Sequence, residues 1–283
     1  MATETLQRIR LLIQTLESFD ASDLTDRTFY DDALGATVIL EKYLLESPPD
    51  VREGTSQFVV DLCRYFLEDF PRVFQQPFKR FGLHSIYEIG QQEFDTTYTY
   101  QDTWAAERVF TLRPRFFVDV GSTVSFVTIT SRIVTCIAID ARPTPFVLHN
   151  LSYRQAEATA LPFENESVPM LTCLHAADHF GLGRYGDTVS NLGVAKAVEE
   201  FERVVMKDGF LIIGVPTKLV PATVFNKMHQ FTPELVSELF SRCAIIQETF
   251  LVPYPVSREQ HDAFLAAYPE MYAGYVVLLR KAR

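Results

Sequence analysis

Acids and imidazoles fall in this chain at the spacing that ligand chemistry requires. Asp119-Val120-Gly121-Ser122 follows the apolar run Phe116-Phe117-Val118, and Asp140 lies nineteen residues past Gly121, closing a second apolar run over 133–139. A buried strand, a glycine turn, a short helix and a second strand ending in an acid make a nucleotide-binding half-fold. The turn lets a ligand approach the backbone, and the strand-end carboxylate accepts hydrogen bonds from both ribose hydroxyls. A dinucleotide fingerprint wants three glycines, whereas Thr123, Val124 and Ser125 follow Gly121 here. A further acid, Glu157, is expected to end a third strand. Then comes His175-Ala176-Ala177-Asp178-His179. Imidazoles titrate near neutrality and suit proton transfer, with Asp178 free to orient either ring. The competing reading is that both rings hold loop backbone.

The elements that position these residues follow from hydrophobic periodicity. Segments 116–120 and 133–140 read as buried parallel strands, 152–158 as a weaker third and 170–174 as a fourth. A helix over 192–206, a turn at Lys207-Asp208-Gly209 and a strand over 210–215 come next. Thr232-Pro233-Glu234 opens a helix, since Thr caps and Pro at the first helical position loses no needed bond. Strands over 245–252 and 274–279 flank a helix over 258–267. Such alternation argues a mainly parallel sheet with ligands at the carboxyl ends of its strands. Gly121, Asp140, Glu157 and His175 would share that edge.

Before residue 95 the pattern differs. Leu6, Ile9, Leu12, Ile13 and Leu16, then Ala33, Val38, Leu40 and Leu44, then Phe58, Val59, Leu62, Phe66 and Leu67 recur at helical spacing. Pro48, Pro49, Pro71 and Pro77 punctuate these segments. The chain is therefore expected to divide into a helical region, 1–95, and an α/β region, 96–283.

Composition bounds the function. With 283 residues and a net charge of −10, the chain has an ample core and no Lys/Arg-rich block, which argues against a nucleic-acid surface. No apolar run approaches the ~20 residues that span a bilayer, so no membrane role is expected. The first residues, Met1-Ala2-Thr3-Glu4-Thr5, lack signal-peptide character. Four scattered cysteines form no Cys-x-x-Cys pair, and a reducing, cytoplasmic setting is expected.

Taken in order, strand-Asp119-x-Gly121, strand-Asp140, Glu157-Ala158-Thr159-Ala160-Leu161-Pro162-Phe163 and Arg203-Val204-Val205-x-x-x-Gly209 before a strand resemble the class I S-adenosylmethionine-dependent methyltransferases, over residues 115–281. Residues 174–187 run Leu174-His175-Ala176-Ala177-Asp178-His179-Phe180-Gly181-Leu182-Gly183-Arg184-Tyr185-Gly186-Asp187. They are similar to the Leu-His-Ala-x-Glu-His-Phe-Gly-Leu-Gly-Arg-Tyr-Gly-Asp motif of a methyltransferase-like family of unassigned function, with Asp178 replacing the acid. Tyr100-Gln101-Asp102-x-Trp104-Ala105-Ala106 resembles the segment before that family's first strand.

The resemblance implies S-adenosylmethionine as cofactor. Backbone around Gly121 and Ser122 would hold its methionine part, Asp140 with the neighbouring Ala141 the ribose, and Glu157 or the Ala158 amide the adenine. Gln101 is implied as a further cofactor-binding residue. Asp119 would shape the turn or meet the cofactor amine. His175, His179 and Asp178 are the implied catalytic group. Arg184, Tyr185 and Asp187 form either a substrate-binding cluster or a rigid loop network. His175-x-x-Asp178-His179 also resembles an inverted zinc motif, but Gly181, Gly183 and Gly186 interrupt any helix and no third ligand follows at a recognisable spacing, so no metal is expected.

Two departures stand out. The glycines usual after Gly121 are missing, which would constrict the methionine pocket or signal lost catalysis. Phe225-Asn226-Lys227-Met228-His229 stands where the family has Phe-Asn-x-His-Arg, leaving His229 as a solvated loop residue or one reaching the site.

The expected fold is a Rossmann-like class I methyltransferase: a seven-stranded, mostly parallel sheet with helices on both faces and a last antiparallel strand, plus the N-terminal helical cap. The cap would be a lid, lined with help from Trp104 and Tyr100, or a homodimer contact. The expected function is methyl transfer to a small molecule or short peptide, at a hydroxyl or carboxylate oxygen. The alternative is a degenerate S-adenosylmethionine-binding or scaffolding subunit.

Overall fold

The structure, a computed structural model, describes residues 2–24, 27–48, 51, 55–68, 70–75, 81–83, 94–142 and 148–282. Pro49 and Pro77 lie outside the described residues. The chain packs as two compact units, Met1–Gln92 and Glu93–Arg283.

In the first unit, α1 (Ala2–Ser18), α2 (Thr28–Glu46) and α3 (Ser56–Leu67) enclose their own core. Ile9, Leu12 and Leu16 of α1 meet Ala33 and Leu44 of α2 and Val59, Leu62 and Phe66 of α3. These are the positions that share a helix face at i, i+3, i+7. Val38, expected inside, faces outward on α2.

The second unit begins with α4 (Thr96–Leu112), whose N-cap Asp95 accepts from the Tyr98 amide. It continues through β1 (Phe117–Val120), α5 (Val124–Thr130), β2 (Cys136–Asp140), β3 (Leu151–Gln155) and β4 (Val168–Leu174). A 3-10 turn over Ala177–His179 precedes α6 (Gly193–Val204), which runs straight into β5 (Val205–Thr217). A small hairpin, β6 (Ala222–Val224) and β7 (Met228–Gln230), leads to α7 (Pro233–Leu239), capped by Thr232 as its sequence requires. Then follow β8 (Cys243–Val252), β9 (Tyr254–Val256), α8 (Arg258–Ala267) and β10 (Ala273–Lys281).

The main sheet runs β3-β2-β1-β4-β5-β10-β8-β9. Its first five strands are parallel, and β10 lies antiparallel between β5 and β8. The expected seven strands are corrected to eight. After β8 the chain reverses at Pro253, and Tyr254–Val256 pairs back onto Phe250–Val252 as a short edge strand. Pro255 is tolerated there because an edge strand has no partner on one side. A second correction concerns Lys207-Asp208-Gly209. The strand already starts at Val205, and the register slips between Val168↔Val205 and Met170↔Phe210, so this segment is an extrusion within β5 with Asp208 at φ 62. A third is the β6–β7 hairpin, where a loop was expected.

Alternate residues of the central strands face two cores. Val118, Leu171, Ile213 and Val277 pack with Phe201 of α6 and Val236 of α7. Phe117, Met170, Ile212 and Val276 pack with Val109 of α4 and Phe126 of α5. Helices thus cover both faces, which is why β1, β4 and β10 are apolar almost throughout. The strand order reverses direction of growth between β1 and β4, and the crevice at such a switch point is where an open sheet takes its ligand.

Candidate active site

Gly121 starts the turn beyond β1 with φ 72, and a Cβ there would stand 2.9 Å from the Cβ of Ala176. Only glycine meets both demands. Asp119, 1% exposed, lies beneath the turn and does not line the crevice. It accepts from the Ser122 amide at 3.1 Å, from the Ser122 hydroxyl, and from the Thr172 hydroxyl at 2.6 Å. Ser122 in turn accepts from the Leu174 amide. Asp119 therefore shapes the turn and ties β1 to β4; of its two expected roles, meeting a cofactor amine does not fit this burial. Burial pushes its carboxyl up to about 7 against the pull of those donors. The residue after Ser122 is not a cramped glycine substitute: Thr123 caps α5, accepting from the Phe126 amide and donating to Asp102.

A cleft of about 520 Å3 opens along this turn, walled by Gly121, Ser122, Asp140, Ala141, Ala156 to Ala158, His175 and His179, and by Tyr98, Phe180 and Tyr185. Its size falls in the range of small-molecule sites. Asp140 is engaged in it: Oδ1 accepts from the Arg142 amide and Nε at 2.8 and 2.9 Å, and Oδ2 from Nη2 at 2.8 Å. Burial works against ionisation of Asp140, but the Arg142 bonds and charge outweigh it and hold the carboxyl low. The Arg142 guanidinium also lies 4.5 Å from the centre of the Tyr185 ring. Glu157 does not end β3, which stops at Gln155; it sits in the following loop, accepting from Thr159 and Thr188.

His175 immediately follows β4 with φ 47, a costly conformation for a non-glycine residue and one that clusters at functional sites. Its amide donates to the Gly214 carbonyl at 2.8 Å. Its Nδ1 meets Oε1 of Gln101, and a carboxamide oxygen can only accept, so Nδ1 carries the proton. Nε2 is left with its lone pair, buried and without a hydrogen-bond partner. Burial holds the imidazole neutral, pulling it down to about 4. Gln101, expected among the cofactor-binding residues, is fully buried and does not line the cleft. It acts on the cleft through His175. Its Nε2 donates to Asp102, whose other oxygen accepts from Thr123, and it fits because residue 214 is glycine: a Cβ there would sit 2.3 Å from Oε1.

Asp178, expected to orient either imidazole, is 2% exposed and behind the wall. Its Oδ2 is 3.4 Å from Nε2 of His179, and Oδ1 has no partner. Burial pushes its carboxyl up to about 7. His179 donates from Nδ1 to the Lys227 carbonyl at 2.7 Å, and burial lowers its pKa. Arg184 donates to that same carbonyl. Asp187 accepts from the Gly181, Gly183 and Tyr185 amides, so this stretch is a braced loop.

His229 is neither solvated nor in the cleft wall. It belongs to β7, is half-buried, and links Thr223 to the Phe180 carbonyl. Trp104 and Tyr100 also fail to line the cleft. Trp104 packs under Arg108, whose guanidinium is 3.9 Å from its ring, while Tyr98, one turn before Gln101, takes the wall position 5.4 Å from the His175 ring. Helical phase carried that signal, since Tyr98, Gln101 and Ala105 share one stripe of α4. Among the described residues no three His, Cys, Asp or Glu side chains come together as a metal site.

Residues 115–213 match the protein family described as a methyltransferase domain. No curated protein matches the chain in sequence. Solved structures similar to it include the YcgJ protein from Bacillus subtilis, 16% identical, covering 64% of this chain and 99% of that one at a TM-score of 0.45. Another is the 1,6-didemethyltoxoflavin-N1-methyltransferase of Burkholderia thailandensis, 12% identical, with coverage of 65% and 80% and a TM-score of 0.48. A third is the geranyl diphosphate C-methyltransferase of Streptomyces coelicolor A3(2), 10% identical, with coverage of 64% and 77% and a TM-score of 0.45. The family match and the strand order together support a Rossmann-like domain of the class I methyltransferase superfamily, with S-adenosylmethionine as its cofactor.

Proposed function

We propose that the Glu93–Arg283 unit transfers a methyl group from S-adenosylmethionine to a small molecule or short peptide, at oxygen. His175, which lines the cleft with the glycine turn and Asp140 and whose buried Nε2 has no partner, carries this reading. The residues present fit the cofactor. Gly121 leaves its backbone open on the cleft side, and Asp140 offers carboxylate oxygens where a ribose would lie once Arg142 swings aside. Ala156, Glu157 and Ala158 line the place for a flat base. When bound, the cofactor supplies a methyl group made electrophilic by its sulfonium.

The chain's own residues then do the rest. Tyr98 and His175 position the acceptor, and excluding water from the cleft favours the attack geometry. His175 receives the acceptor proton at Nε2 and releases it to water only after the product has left the cleft. Four free cysteines, three of them buried, accord with a reducing, cytoplasmic setting. Among the described residues no helix is long and apolar enough to cross a membrane.

The second reading, a cofactor-binding or scaffolding subunit without turnover, is favoured by one observation: Arg142 already takes both oxygens of Asp140. Transfer of labelled methyl from S-adenosylmethionine to a panel of hydroxyl and carboxyl compounds separates the two. Turnover with at least one acceptor, lowered ~10²-fold or more by His175→Ala on a hydroxyl, is expected. Cofactor binding with no transfer to any acceptor would favour the second reading.

A further inference from the structure

We infer that the methyl acceptor is a neutral aromatic compound presenting an O–H or N–H donor to Nε2 of His175, and that carboxylates are excluded. The inference rests on the methyl-transfer reading; it drops that reading's carboxylate acceptors and adds N–H ones.

Three observations carry it. The first is polarity. The Gln101 carboxamide oxygen accepts from the Nδ1–H of His175, so the atom left without a partner, Nε2 buried within this cleft-lining residue, is a hydrogen-bond acceptor. A buried acceptor without a donor is unfavourable by about 1–3 kcal/mol, and a ligand O–H or N–H repairs it. A carboxylate has no proton to give and would set lone pair against lone pair. The second is charge. Beside His179 lies the buried carboxyl of Asp178, its Oδ2 3.4 Å from Nε2 and its Oδ1 without a partner, so this end of the wall offers hydrogen-bond acceptors. Of the two cations at the mouth, Arg184 is held by the Lys227 carbonyl, and Arg142 belongs to the Asp140 end of the cleft rather than to His175. The third is shape. Tyr98 lies against His175, Tyr185 stands edge-on to His179 at 5.2 Å, and Phe180 completes a wall of rings. Flat apolar faces with one directional polar group select planar rings bearing one donor.

The step balances. A lone pair on the acceptor oxygen or nitrogen forms the new bond to carbon, and the carbon–sulfur pair stays on sulfur, leaving a neutral thioether. The acceptor's proton goes to Nε2 and thence to water. Because burial disfavours the imidazolium, His175 takes the proton only as the bond to the methyl carbon forms and gives it up readily afterwards.

The test uses the intact chain saturated with S-adenosylhomocysteine and three matched probes: phenol, anisole and benzoate. Binding is followed by nuclear magnetic resonance through the ¹⁵N signal of His175 Nε2. Phenol is expected to bind at least 10-fold more tightly than either other probe and to shift that signal. Gln101→Glu places a carboxylate behind the ring, which favours the imidazolium, turns Nε2 into a donor and should invert the preference toward benzoate. A merely structural Gln101 would lower all three affinities alike. Benzoate or anisole binding the native protein as tightly as phenol overturns the inference while leaving methyl transfer standing. Failure to bind S-adenosylhomocysteine at all overturns both.

Discussion

His175 carries three separate constraints: a left-handed backbone, a buried carboxamide on one nitrogen and an empty second nitrogen. The chemical consequence is a neutral ring, and the thermodynamic one has a definite sign. In the unfolded chain the imidazole titrates near 6.5, and in the fold near 4. Between those values the unfolded state binds more protons, so the contribution to stability is full above pH 6.5 and falls as pH drops toward 4. Denaturant unfolding at a series of pH values should show native minus His175→Gln rising across pH 4–6.5, at up to ~1.4 kcal/mol per pH unit, and flat above. A difference curve flat over the whole range would mean the ring is not held neutral. Asp119 and Asp178 work in the opposite sense, since their raised pKa values make the folded state the better proton binder between about 4 and 7. At this scale the sequence exposed part of the site. Gly121, Asp140, Glu157, His175 and His179 do meet in one wall, because each stands at or just past a strand's carboxyl end. Gln101 and Asp178 lie one layer back because their burial depends on neighbours distant in sequence, whereas the Arg142–Asp140 pair is local and depends on the bend after β2.

At the scale of elements, α4, β4 and β5 hold the imidazole between them. Helix α4 supplies Gln101 and Tyr98, β4 delivers His175, and β5 withdraws at Gly214 to make room. Gly214→Ala should therefore leave the sheet folded and cofactor binding intact while displacing Gln101, lowering methyl transfer ~10-fold or more through lost positioning. Circular dichroism, cofactor titration and turnover on the same sample check it; unchanged turnover would show that Gln101 does not position the ring. The strands and helices were largely legible, because fully buried parallel strands are apolar on both faces and helix caps are local. The short pieces were not. Strand β9 forms only because the chain folds back on β8, and the β6–β7 hairpin turns on Asn226 at φ 61 between segments of three residues each. Pairings that short have little periodicity to read. Tyr98 is legible from helical phase, since it shares the Gln101 stripe of α4 that Trp104 and Tyr100 do not.

At the scale of the molecule, one unit carries the cleft and the other an aromatic-rich helical core of its own. The net charge of −10 makes the neutral or basic character of an acceptor more compatible with approach than an anionic one. The cleft at the β1–β4 switch point is proposed to take S-adenosylmethionine with Asp140 on its ribose. Calorimetric titration of the intact chain with S-adenosylhomocysteine, alongside Asp140→Ala, tests this most directly. One site per chain with a Kd on the order of micromolar is expected, weakened ~10-fold or more in the variant through loss of a charged acceptor worth about 1.5–3 kcal/mol. Absence of binding at millimolar ligand, or equal affinity in the two proteins, would contradict it.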